Sequence, residues 1–167
     1  MEKFTAEIEG LLNHKLSLYR EVNDLLRQER DYIVGIDVDS LWKSADKKKQ
    51  LVEEIQAIRE AILTAVRDQA GIQGLDEKTF SLSYLMRIIP LSSEAKKRLG
   101  QIKLAIDTEK EELKQSAKDN QRYVTEYLTV IDDIMSVAVA GNNQAQYGQT
   151  GRMPADRNPS GLIHAEV

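Results

Sequence analysis

Between Glu94 and Ala140 the chain holds no proline and a single glycine, Gly100. Over that stretch apolar or small residues recur at Leu99, Ile102, Ile106, Leu113, Ala117, Val124, Tyr127, Leu128, Ile131, Met135 and Ala138, largely in steps of three and four. The spacing predicts one long helix with a buried stripe. At ~1.5 Å per residue it would run roughly 70 Å, more than a compact globule accommodates. Such a stripe calls for cover: the N-terminal helices along one end and a second protein along the other.

Two helices are expected ahead of it. The first spans about 4–34, with Phe4, Ile8, Leu11, Leu12, Leu16, Tyr19, Val22, Leu25, Leu26 and Ile33 as its stripe. Gly35 stands where a left-handed C-terminal cap is wanted, and Asp37 or Asp39 can cap the helix that follows. Ile36 and Val38 leave open a bent helix that continues instead of turning back. The second covers about 38–70, with Leu41, Ala45, Val52, Ile55, Ile58, Ile62, Ala65 and Val66 as its stripe, widened by Trp42 and Leu51. Lys47-Lys48-Lys49, flanked by Asp46, Glu53 and Glu54, reads as a solvated face with pairs along its own helix. Gly71 and Gly74 end that helix. Residues 81–89 form a short helix stopped by Pro90, and Ser92 or Ser93 caps the long one. From Gly141 on, polar residues and glycine dominate and no stripe remains to bury.

The expected fold is therefore all-α: an elongated antiparallel bundle or coiled coil of three long helices, a short connector helix and a flexible C-terminal tail. Residues 1–140 make the helical domain and 141–167 the tail. A composition of 30% charged and 5% aromatic residues suits such a bundle. The net charge of −4, with no basic face, argues against nucleic acid as a partner. The absence of cysteine removes disulfides and thiolate metal sites and fits a reducing compartment. No leader-like N-terminus and no apolar run of about 18 residues is present, so a soluble, cytoplasmic protein without membrane insertion is expected.

Catalytic equipment is sparse. The histidines, His14 and His164, lie in no metal-ligand spacing, and no phosphate-cradling glycine loop or serine elbow occurs. The acidic pairs Glu53/Glu54, Glu111/Glu112 and Asp132/Asp133 are adjacent in sequence, so on a helix they point about 100° apart and serve solubility. No enzyme activity, cofactor or metal is expected. The long helix, in contrast, has apolar residues to spare. Tyr123, Val124, Tyr127, Leu128, Val130, Ile131, Ile134, Met135, Val137 and Val139 cover more than one face, which suits a helix that meets another protein as well as its own bundle. The same residues could instead be bundle core, or the seam of a scaffold that self-associates as a homodimer through its third helix.

Leu25-Leu26-Arg27-Gln28-Glu29-Arg30 is followed by Asp37 and Leu41, then by Lys49 with Leu51, Ile55, Ile58 and Arg59. Asn120-Gln121-Arg122-Tyr123-Val124 comes next, and after the apolar run a polar spacer leads to Tyr147-Gly148-Gln149-Thr150-Gly151. Together these stretches resemble the FlgN-type flagellar export chaperones. The chain departs from the family at Ala117, where a second asparagine is common, and in a longer tail that carries Pro154 and Pro159. The resemblance implies a non-enzymatic cytoplasmic chaperone. It would bind the C-terminal helices of hook-associated (hook–filament junction) proteins, prevent their self-association, and bring them to the export gate of the flagellar type III secretion apparatus. It further implies a client-binding set of Tyr123, Val124, Tyr127, Leu128, Ile131, Ile134 and Met135. Tyr147, Gly148 and Gly151 would dock on the cytoplasmic domain of the gate's membrane protein.

Overall fold

A computed structural model describes residues 2–70, 81–88 and 90–144. Every element among them is helical: α1 (Glu2–Gly35), α2 (Val38–Ala70), α3 (Leu82–Ile88) and α4 (Ser93–Gln144). The expected all-α class and the element order are borne out, and α4 continues four residues beyond the expected end. Gly71 and Gly74, expected to stop α2, lie outside the described residues. The chain divides into two compact units, Met1–Thr125 and Glu126–Val167.

The helix starts follow their caps. Ser81 Oγ accepts from Tyr84 N at 3.1 Å at the head of α3, and Ser92 Oγ accepts from Ala95 N at 3.2 Å at the head of α4. Each supplies a partner to a first-turn N–H that the helix itself leaves unmet.

Between α1 and α2 the chain turns back. Asp37 N donates to Tyr32 O (2.9 Å) and Ile36 N to Ile33 O (3.2 Å), the paired bonds of a Schellman end. The residue in the left-handed region is Ile36, with φ of 55°, and not Gly35 as expected. Ile33 is buried, which fixes the last turn of α1 and places the left-handed position three residues later. A non-glycine there costs roughly 1–2 kcal/mol. Asp37 then starts α2: its Oδ1 accepts from Ser40 N at 3.0 Å. Hydrogen bonds from Ser40, side chain first and backbone second, hold the Asp37 carboxyl below its ordinary pKa.

In the first unit α1 makes ion pairs with both α2 and α4. Lys47 and Lys48 of α2 pair with Glu21 and Glu29 of α1. Two of the three lysines of the run thus pair across to α1, where pairs along their own helix were expected. Towards α4, Glu9 pairs with Arg98, Arg20 with Glu109, Arg27 with Glu112 and Arg30 with Asp119. The partners' numbers rise together, so α1 and α4 run parallel, while the tight turn makes α1 and α2 antiparallel. The order is up, down, up.

The core joins Phe4, Ile8, Leu12, Leu16, Val22 and Leu26 of α1 to Leu51, Ile58, Ile62 and Val66 of α2 and to Leu99 and Ile106 of α4. At ~25 cal/mol per Å2 of apolar surface, this burial is the main favourable term for a bundle whose ion pairs are mostly exposed. The α2 stripe is corrected in detail. Leu51 is 1% exposed, whereas Val52, Ala45 and Trp42 face solvent, and Leu63 and Leu18 are buried without having been assigned to a stripe. Leu51 and Val52 stand about 100° apart on the helix, so only one of them can face α1.

Two buried asparagines add direction to this packing. Asn23 Nδ2 donates to Glu109 O (3.0 Å) and Oε2 (2.8 Å), leaving Asn23 Oδ1 without a hydrogen bond. Asn120 Nδ2 donates to Leu26 O at 2.8 Å and to Glu29 Oε2 at 3.4 Å, while its Oδ1 accepts from Arg30 Nε at 3.3 Å. Both occupy stripe positions, between Tyr19 and Leu26 in one case and Ala117 and Val124 in the other. Asn120, bonded through both Nδ2 and Oδ1, is satisfied in this register of α4 against α1 and would be stranded in others, which favours that register.

Candidate protein-binding face

From Val124 to Val139 every side chain of α4 is exposed. At about 100° per residue, Tyr127, Leu128, Ile131, Ile134, Met135, Ala138 and Val139 fall on one broad face. Val130 and Val137 extend it, so the apolar arc covers roughly 200° of the circumference. The remaining arc holds Thr125, Glu126, Thr129, Asp132, Asp133 and Ser136, with no Lys or Arg from Tyr123 to Val139. Two of its hydroxyls bond back to the helix, Thr125 Oγ1 to Gln121 O at 3.0 Å and Ser136 Oγ to Asp133 O at 2.8 Å.

Exposure on this face is high: 61% for Leu128, 62% for Ile134, 59% for Met135 and 72% for Val137. Together the residues expose several hundred Å2 of apolar surface, on the order of the largest patches that monomers tolerate without a binding role. Met135 brings an unbranched, polarisable side chain that adapts to irregular partners.

Of the seven residues assigned to client binding from the sequence, five lie fully on this face: Tyr127, Leu128, Ile131, Ile134 and Met135. The other two belong to the first unit. Tyr123 is half-buried, its ring centroid 5.7 Å from the Arg30 guanidinium carbon and 5.6 Å from that of Arg122, within cation–π range. Val124 is 40% exposed and borders a cavity of about 260 Å3 that is also lined by Leu26, Ile33 and Asn120. Tyr147, Gly148 and Gly151 lie outside the described residues. Val130, Val137 and Val139, surplus apolar residues in the sequence that were not assigned to the set, are exposed as well. Among the described residues no group of three or more His, Cys, Asp or Glu is placed to hold a metal ion, and no helix is long and apolar enough to cross a membrane.

An all-helical chain with one broad uncovered apolar face is a form many proteins share, so the family comparison decides among them. The model of the FlgN protein family matches residues 1–155. This chain belongs to the FlgN family. FlgN proteins are flagellar export chaperones and not enzymes, and membership implies hook-associated proteins of the flagellum as bound partners. No curated protein sequence and no solved structure matches the chain. The FlgN match takes in the bundle, the exposed α4 face and the segment around Tyr147 alike.

Proposed function

We propose that this FlgN-family chaperone binds the C-terminal helices of hook-associated proteins on the apolar face of α4, centred on Tyr127, Leu128, Ile131, Ile134 and Met135 with Tyr123 and Val124 at its edge. Bound there, the client helices cannot pair with one another before export. The chaperone works in the cytoplasm and brings its client to the export gate. Tyr147, Gly148 and Gly151 dock on the cytoplasmic domain of the gate's membrane protein, the tyrosine ring filling a pocket and the glycines allowing close backbone approach. The helical chain to about residue 140 is the chaperone domain, and residues 141–167 carry the docking motif.

The observation that carries this reading is the uninterrupted exposure of the apolar arc between Val124 and Val139. Covering it with an amphipathic helix supplies binding free energy without ATP, at ~25 cal/mol per Å2 less the cost of ordering the partner. A second copy of this chain is a weaker occupant. Its flanking acids, Glu126 and Asp132, would meet the same acids across the seam, and like charges there repel.

The test is a titration of the full chain with the C-terminal helical segment of a hook-associated protein. Leu128→Glu and Ile131→Glu should each abolish binding while the helical signal and melting temperature stay as in the parent. Unchanged affinity in both variants would refute the assignment. Tyr147→Ala should leave client binding intact and reduce client secretion, and secretion at the parental rate would remove the docking role.

A further inference from the structure

Asp132 and Asp133 stand at opposite rims of the exposed apolar arc of α4. At about 100° per residue, Asp132 falls beside Leu128, Met135 and Val139, while Asp133 falls beside Val130 and Val137. Glu126 lies on the same rim as Asp133. Both aspartates are exposed. The back of the helix between the two rims carries the neutral residues Thr129 and Ser136, and the Ser136 hydroxyl is spent on Asp133 O. The charge of this segment is thus placed along the two edges of the apolar face and nowhere else.

Earlier in α4 the carboxylates find cations by one of two routes. Asp107 and Glu111 pair along their own helix with Lys103 and Lys114, whereas Glu109 and Glu112 pair across to Arg20 and Arg27 of α1. At Asp132 and Asp133 the first route is closed. The positions three and four away on either side are Leu128, Thr129, Val130, Met135, Ser136 and Val137, none of them cationic. Neither aspartate makes an ion pair among the described residues. The second route requires a helix supplied from outside. Within this chain α1 shows what a helix suited to acid-flanked α4 looks like: an apolar stripe with Arg20, Arg27 and Arg30 beside it.

We propose that the helix received on this face is cationic along both flanks: an amphipathic partner helix whose apolar stripe is bordered on each side by Lys or Arg, which reach Asp132 on one rim and Asp133 on the other. The inference rests on the client-binding role of the face and adds the chemistry that selects among amphipathic helices. Burial of the stripe supplies most of the attraction, and the rim charges supply the choice. Long basic side chains also lay their methylene stems over the edges of the apolar arc before reaching the carboxylates. An acid-flanked helix with the same stripe meets like charge on both rims and is rejected. A second copy of this chain, bearing the same two aspartates, is rejected for the same reason.

The experiment titrates the full chain by calorimetry with two designed helical peptides that share one apolar stripe, flanked by lysine in one and by glutamate in the other. At low ionic strength the lysine-flanked peptide should bind about tenfold more tightly, and high salt should narrow the difference. The double variant Asp132→Lys, Asp133→Lys should keep the parental melting temperature and invert the order of the two peptides. Leu128→Glu should abolish binding of both, which locates them on this face. Equal affinity for the two peptides, a preference for glutamate, or an order unchanged in the double variant overturns the inference. So does binding of neither peptide, including the case in which the chain instead forms a dimer that Leu128→Glu dissolves. A C-terminal helical segment of a hook-associated protein, titrated in parallel, separates the two claims: if it binds the parent and not Leu128→Glu, the client-binding role stands although the charge rule has failed, and if it does not bind, both fall.

Discussion

From Ala95 to Asn120, α4 buries Ala95, Leu99, Ile106 and Asn120 and ties its flanking charges to α1, whereas from Val124 to Val139 it leaves every side chain exposed. Both stretches carry the same three-four periodicity. They differ in what flanks the stripe. In the first, Arg98, Glu109, Glu112 and Asp119 each meet an opposite charge on α1, and the inward arc is narrow enough for one neighbouring seam. In the second, the apolar arc is roughly 200° wide and its charged residues are acids only. Periodicity therefore says that a helix has a face to cover. The width of that face and the charges beside it say whether the cover comes from the same chain.

The comparison is tested most severely by truncating one apolar residue in each stretch. Leu99→Ala removes a fully buried side chain and should lower stability by about 2–5 kcal/mol, read by chemical denaturation, while the folded fraction keeps its client affinity. Leu128→Ala or Ile131→Ala should shift stability by less than about 0.5 kcal/mol. Each should cost about 1–3 kcal/mol of client binding, measured by calorimetry. If the second pair destabilises the fold as the first does, the two stretches are not different and the exposed face is core.

Asn120 sharpens where the first stretch ends. Asn120→Ala removes the donor to Leu26 O and the acceptor for Arg30 Nε, and should cost about 1–3 kcal/mol of stability. Hydrogen exchange should then speed up in α4 around residues 113–124 before it does around Leu99. Uniform loss along α4 would show that the asparagine does not act as a local tie.

The smallest expected effect is a pH dependence that belongs to the bundle alone. Lys15 has a folded pKa of about 8, below the ordinary lysine value, so the folded state disfavours its charged form. The penalty is complete below about pH 8 and is relieved as pH rises toward the unfolded value of about 10.4, so Lys15 makes stability increase with pH through that window. Lys15→Met should flatten the rise and add about 1 kcal/mol at neutral pH, after allowance for solvent screening. At the other end, the lowered pKa of Asp37 means that its capping contribution is present above the ordinary carboxylate value and lost as pH falls through the folded one. Client affinity should follow neither change.

The order of the helices, their ends to within a few residues, and the surplus of apolar residues near the end of α4 were legible in the sequence. Each depends on neighbours within about four positions: stripe spacing, a serine or aspartate at a helix start, a proline after α3. The family signal was legible too, because it lies in short ordered stretches. Asn23 and Asn120 stood in the open as polar residues on apolar stripes, yet nothing local named Glu109, Leu26 or Glu29 as their partners.

Tertiary structure alone decided the questions that depend on where a neighbouring helix lies. Its position put Leu51 inside and Val52 outside, buried Leu18 and Leu63, and left Trp42 in solvent. It made Ile36, and not Gly35, adopt the left-handed conformation, because burial of Ile33 sets the last turn of α1. It set α1 parallel to α4 and brought Lys15, Arg59, Lys103 and Lys110 around one cavity from positions up to 95 residues apart. The physical reason is common to all of these. The periodicity of an amphipathic helix limits its inward positions to a few, and the packing of the partner helix chooses among them.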